Sequence, residues 1–166
     1  VVAAAPLRDV NKLTWPPSVV HTGGMTNDEP VLRTGDADKE LEDLLDERLT
    51  EFNSAVTGVV EETEFSVRVT AADGETIGGL TGSTWGDLGS IELLWVHEDH
   101  RHAGWGARLL QAAEDEARRR GCARMTVSSY SFQAPDFYAR QGYRETGRLP
   151  GIPGGHEDVY FLKELS

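Results

Sequence analysis

Apolar side chains recur at spacings of three and four through residues 36–57, at Leu41, Leu44, Leu45, Leu49, Phe52 and Val56. That period predicts an amphipathic helix with one inward stripe. Asp36 or Asp38 can cap its start, and Gly58 can take the left-handed turn that stops it. From Glu64 the period drops to two. Phe65, Val67 and Val69 alternate with Glu64, Ser66, Arg68 and Thr70, the pattern of a half-buried strand. Asp73-Gly74 is a turn signal, so a hairpin returns through Thr76–Leu80. Leu88–Val96 is almost continuously apolar at its core, IELLWV, which predicts a central strand covered on both faces.

The helical period returns in 104–120. Leu109, Leu110, Ala113 and Ala117 form the inner side, and Glu114, Asp115, Glu116 and Arg118–Arg120 the solvated side. Gly121 ends it. A strand over 122–128 follows, then a short helix over 135–141 opened by Pro135, then strands near 143–146 and 158–162. The order predicts an α/β (α+β) domain: a mixed sheet with helices on its faces.

A chain of 166 residues has one domain's length and buries a sizeable core. Residues 1–24 carry three of the seven prolines, few charges and no periodicity. They read as a leader, non-native or an extended arm, ahead of a domain over 25–166 that starts naturally at Met25. Lys and Arg number 16 against 28 Asp and Glu, a net charge of −12. That balance argues against a nucleic-acid partner and favours cationic substrates. The sequence has no apolar run long enough for a membrane helix. The single cysteine, Cys122, excludes an internal disulfide and a multi-cysteine zinc site, and fits a reducing, cytoplasmic setting. His97, His100 and His102 lie near Glu98 and Asp99, but not at zinc-site spacing, so no metal is expected.

The segment with chemistry in it is LLWVHEDHRHAGWGARLL (93–110). A buried strand runs into a polar loop, then Arg101-His102-Ala103-Gly104-Trp105-Gly106, then a helix. Free N–H groups and a positive dipole end meet there, and glycines let an anion approach the backbone. Arg101 and Arg108 add positive charge to an acidic protein. The segment is not a P-loop, because no Gly-Lys-Ser/Thr follows. Nor is it a dinucleotide fingerprint, because a third glycine is missing.

RHAGWG resembles the Arg/Gln-x-x-Gly-x-Gly/Ala coenzyme A signature of the GNAT acetyltransferases. SFQAPDFYARQGY resembles the family's second signature, with Tyr138 four residues before Gly142-Tyr143, Ala134 in place, and Ser131 where the family often has Asn. The ending HEDVYFLKEL is similar to a family terminal strand, and the resemblance spans about residues 31–164.

The resemblance implies a mostly antiparallel sheet splayed at its central strands, with acetyl-CoA as cosubstrate in the opening. Its pantetheine amides would pair with free backbone groups of Leu94, Trp95 and Val96. Its pyrophosphate would meet the N–H groups of Arg101, His102, Ala103, Gly104, Trp105 and Gly106. Tyr138 would face the thioester sulfur and protonate the leaving thiolate. Glu92 is either a base acting through water, with Ser90 beside it on the same face, or an ordinary strand carboxylate. Trp95 and Trp105 read as packing residues, and Cys122 as a buried small hydrophobe. His156, Glu157 and Asp158 read as a loop that could offer acidic contacts to a cationic amine, or simply as solvated residues.

The expected reaction is direct N-acetylation of a small-molecule amine in a ternary complex. The alternatives are acetylation of a protein or peptide amine, and a non-catalytic acyl-CoA sensor that keeps the fold. The terminal strands and residues 1–24 are surfaces where a homodimer could form.

Overall fold

The computed structural model describes residue 30, residues 32–59 and residues 62–165. The expectation for residues 1–24 lies outside them. The elements run α1 (Lys39–Thr57), β1 (Thr63–Thr70), β2 (Thr76–Trp85), β3 (Leu88–Val96), a single 3-10 turn (Glu98–His100), α2 (Trp105–Arg119), β4 (Arg124–Tyr130), α3 (Pro135–Arg140), β5 (Arg144–Ile152) and β6 (His156–Glu164). The six strands form one sheet in the order β1-β2-β3-β4-β6-β5. Every neighbouring pair is antiparallel except β3 and β4. The mixed sheet expected from the pattern, mostly antiparallel as the resemblance implies, is therefore present.

One face of the sheet holds the core. Phe65, Leu80, Ile91, Leu94, Val96, Met125, Val127, Val159 and Phe161 meet Leu109, Leu110, Ala113 and Ala117 of α2. Close approach there depends on glycine. A Cβ on Gly89 would lie 2.6 Å from the Met125 sulfur and 3.2 Å from the Ala117 Cβ. Lys163 of β6 bonds both oxygens of the buried Glu114 of α2 at 2.8 Å, so that charge is paired.

The opposite face differs from the expectation. Leu93 and Trp95 are exposed, so the second half of β3 is covered on one face only, while Ser90 stays buried. The apolar stripe of α1 is also uncovered, with Leu44 47% and Leu45 51% exposed and no residue of the helix buried. Local terms hold α1 instead. The Asp38 side chain accepts from the Leu41 N–H, Gly58 closes the C-terminus in the left-handed region, and Lys39 pairs with Glu42 and Asp43.

Candidate active site

The site begins with a break in the sheet. β3 and β4 pair in parallel from Leu88↔Arg124 to Ile91↔Val127. Beyond that, β3 continues to Val96 against β2, and β4 continues to Tyr130 against β6. The two inner edges part and leave a wedge. A bulge lies at the same point: Thr81 faces Leu93 and Gly82 faces Ile91, so Glu92 is the extra residue. The bulge turns Glu92 away from the core face, into a cleft of about 360 Å³ lined by Glu64, Phe65, Ser66, Thr81 and Gly82 as well.

Alternation decides which backbone groups of β3 face the wedge. The His97 N–H donates to the Ile77 carbonyl at 2.9 Å, so the peptide groups of Trp95, two residues back, face β2 as well. Those of Leu94 and Val96 face the wedge. This corrects the expectation that all three residues offer free groups. The Val96 carbonyl accepts from Arg101 Nε at 3.1 Å, which fixes the end of the strand.

The loop after β3 is shaped by two left-handed residues. His102 has φ 64, unusual for a non-glycine residue, and Gly104 has φ 82. Gly104 is the N-cap of α2, with no side-chain cap and no acidic residue in the first turn. The first-turn N–H groups of a 15-residue helix therefore lack a side-chain acceptor. The Arg108 guanidinium lies 4.1 Å from the centroid of Trp105, whose half-buried ring packs on the core. Gly106 faces Phe137, where an added Cβ would sit at 3.4 Å.

Tyr138 lies in α3 on the core face and is fully buried. Its ring stands 5.1 Å from Phe137 and 5.9 Å from both Tyr143 and Phe161. Its hydroxyl has no hydrogen-bond partner among the described residues. Burial pushes the phenol well above its ordinary value of 10.0, so it stays protonated. Glu92 and Tyr138 thus occupy opposite faces of the sheet. Cys122 is buried 3.9 Å from the Gly86 carbonyl, and burial raises its thiol, unlike a nucleophile. No group of three or more metal-ligating side chains converges among the described residues.

The acetyltransferase (GNAT) family matches residues 30–143, more than half of the chain. The chain belongs to the GNAT acetyltransferase family. A blasticidin-S acetyltransferase of Streptomyces morookaense is 40% identical over 113 residues, which cover 66% of this chain and 83% of that one. The crystal structure of an acetyltransferase from Bacillus cereus superposes with a TM-score of 0.73 at 31% identity, covering 80% of this chain and 97% of that one. A Bacillus anthracis protein solved in complex with acetyl coenzyme A superposes at 0.56 with 17% identity, a likeness of fold, over 61% of this chain and 62% of that one. This GNAT member is an acetyltransferase in which the wedge, the glycine loop and the buried tyrosine lie in one region of the sheet.

The sequence missed two features. Ser131 accepts from the Glu157 N–H and bonds His156 Nδ1, each at 3.2 Å, and ties the end of β4 to the β5–β6 turn. Asp158 lies inside β6, not in a loop, and is buried. The alternation of Asp158, Tyr160 and Leu162 with Val159 and Phe161 already gives the strand over 158–162, but a polar position in an alternating strand reads as solvated, so the burial of Asp158 does not show in the pattern.

Proposed function

We propose that this acetyltransferase moves the acetyl group of acetyl-CoA to a primary amine of a small molecule, by direct attack in a ternary complex. The observation that carries the reading is the wedge between β3 and β4, with outward peptide groups of Leu94 and Val96 beside an uncapped α2 N-terminus. Amides of an extended pantetheine arm pair with such an edge as an added strand would. The N–H groups of His102 to Gly106 suit a pyrophosphate, whereas the Arg101 N–H, expected among them, is held by the Glu98 carbonyl at 3.2 Å.

Acetyl-CoA supplies an activated acyl group as a thioester. The residues supply the rest. The amine must shed a proton to attack, and Glu92 takes it through water. One of the two outward N–H groups, Leu94 or Val96, can stabilise the carbonyl oxygen as it gains charge, while the other pairs with the pantetheine arm. The carbon–nitrogen bond forms first, the carbon–sulfur bond breaks as the oxyanion collapses back to a carbonyl, and the protonated Tyr138 hydroxyl gives its proton to the departing sulfur. The hydroxyl has no other partner among the described residues, and burial keeps its proton in place until charge builds on the sulfur.

The acidic chain and the Streptomyces relative's named substrate favour a small cationic acceptor, with blasticidin S the first to try. The test is release of free thiol from acetyl-CoA across a panel of amines that includes blasticidin S. Amine-dependent release, lost on Arg101→Glu together with acetyl-CoA binding, supports the reading. Acetyl-CoA binding without release for any small amine points to a peptide amine or a sensor.

A further inference from the structure

We propose that Asp158 anchors a second cationic group of the acceptor, an ammonium or guanidinium distinct from the amine that is acetylated. The inference rests on the acetyl-transfer reading above and names the substrate class.

Asp158 faces Tyr130 across β4–β6 and Leu149 across β5–β6. Register places it on the same sheet face as Ser128, Tyr130 and Tyr160, the face away from α2. It is only 5% exposed, and its Oδ1 has no hydrogen-bond partner among the described residues. Buried polar atoms are almost always partnered, and a carboxylate oxygen left alone is costly. Nearby basic side chains are engaged elsewhere. Arg148 bonds Glu145 and Glu157, and His156 bonds Ser131. Tyr160 stands beside the carboxylate: burial first, then Asp158, raises its phenol above 10.0.

What Oδ1 lacks is a hydrogen-bond donor, and a cationic donor matches the charge of the carboxylate as well. Tyr130 stacks on Phe132 at 5.4 Å, and Phe132 meets His156 edge-on at 4.8 Å, so aromatic faces border the position and suit a cation.

That cation is not the attacked amine. A buried carboxylate holds its partner in the charged form, whereas attack needs the neutral amine. Position agrees. Asp158 aligns with Tyr130, about 10 Å along β4 from Val127, where the strands part. Glu92 lies at that parting point, on the same face and the other flank. An acceptor bridging the two carries one amine to the thioester and a second charge to Asp158.

The full chain, saturated with coenzyme A, is titrated calorimetrically with blasticidin S, spermidine and 1,5-diaminopentane, with pentylamine as the singly charged control. At least one of the three should bind tenfold or more tighter than pentylamine. Asp158→Asn should weaken that probe about 10- to 100-fold, the effect of one charge-assisted hydrogen bond. Its affinities for pentylamine and acetyl-CoA should not change, and Asp158→Glu should retain part of the preference. A parent with no preference, or an Asp158→Asn variant that keeps it, overturns the proposal. Should Asp158→Asn lose its thermal transition, ¹³C-carboxyl aspartate labelling decides in the parent. The resonance absent from Asp158→Glu should move with the preferred probe and not with pentylamine; if it stays still, the proposal fails. Binding is the readout, so absence of thiol release would count against the transfer reading alone.

Discussion

Tyr138 combines full burial with a hydroxyl that nothing in the described chain satisfies. Its raised pKa keeps the proton in place throughout an assay range below pH 10. Tyr138→Phe should lower kcat about 10²-fold and leave acetyl-CoA affinity intact, as kinetics beside calorimetry would show. An unchanged kcat would reduce Tyr138 to a packing residue. Gly104 and Gly106 separate in the same way. Gly104 has φ 82, so Gly104→Ala meets left-handed strain of about 1–2 kcal/mol and should weaken acetyl-CoA binding. Gly106→Ala meets only Phe137 at ordinary contact distance and should be mild. The strand–glycine–helix placement singles out Gly104 and Gly106, whereas Tyr138 stands out only through the resemblance to the family's second signature. Sequence spacing could not show that Trp95 turns its peptide groups to β2, because ladder parity depends on the pairing of Ile77 with His97.

At the scale of elements, α1 and α2 look alike in pattern and differ in what they bury. Leu110 of α2 is 1% exposed, so Leu110→Ala should cost about 2–5 kcal/mol in denaturant unfolding. Leu44→Ser in α1 should stay within about 0.5 kcal/mol. Periodicity reveals that a stripe exists but not whether a partner face covers it, which is why α1 reads as a core helix from sequence alone. The α2 C-terminus carries its own pH signature. Hydrogen bonds from Arg119 and then Arg120 hold the Glu116 carboxyl down at about 2, against an ordinary 4.5. This stabilisation is complete above pH 4.5 and fades as the pH falls toward 2. Glu116→Gln should therefore flatten the fall in Tm across that window. A variant curve parallel to the parent's would mean the pair adds no stability.

The whole molecule places its chemistry where a parallel strand pair stops. Ile91↔Val127 ends the pairing, Glu92 bulges to one face, and Tyr138 stands on the other. The order of elements along the chain and most of their positions follow from periodicity, turns and glycine stops. The wedge does not, because it arises from the separate loyalties of β3 to β2 and β4 to β6, each a long-range pairing. The most direct test of this architecture is amide hydrogen exchange by NMR on the full chain, with and without acetyl-CoA. The account predicts slowed exchange at Leu94 and Val96, with Trp95 and His97 unchanged because β2 already holds them. Equal exchange at Leu94 and Val96 in both states, under saturating acetyl-CoA, would contradict it.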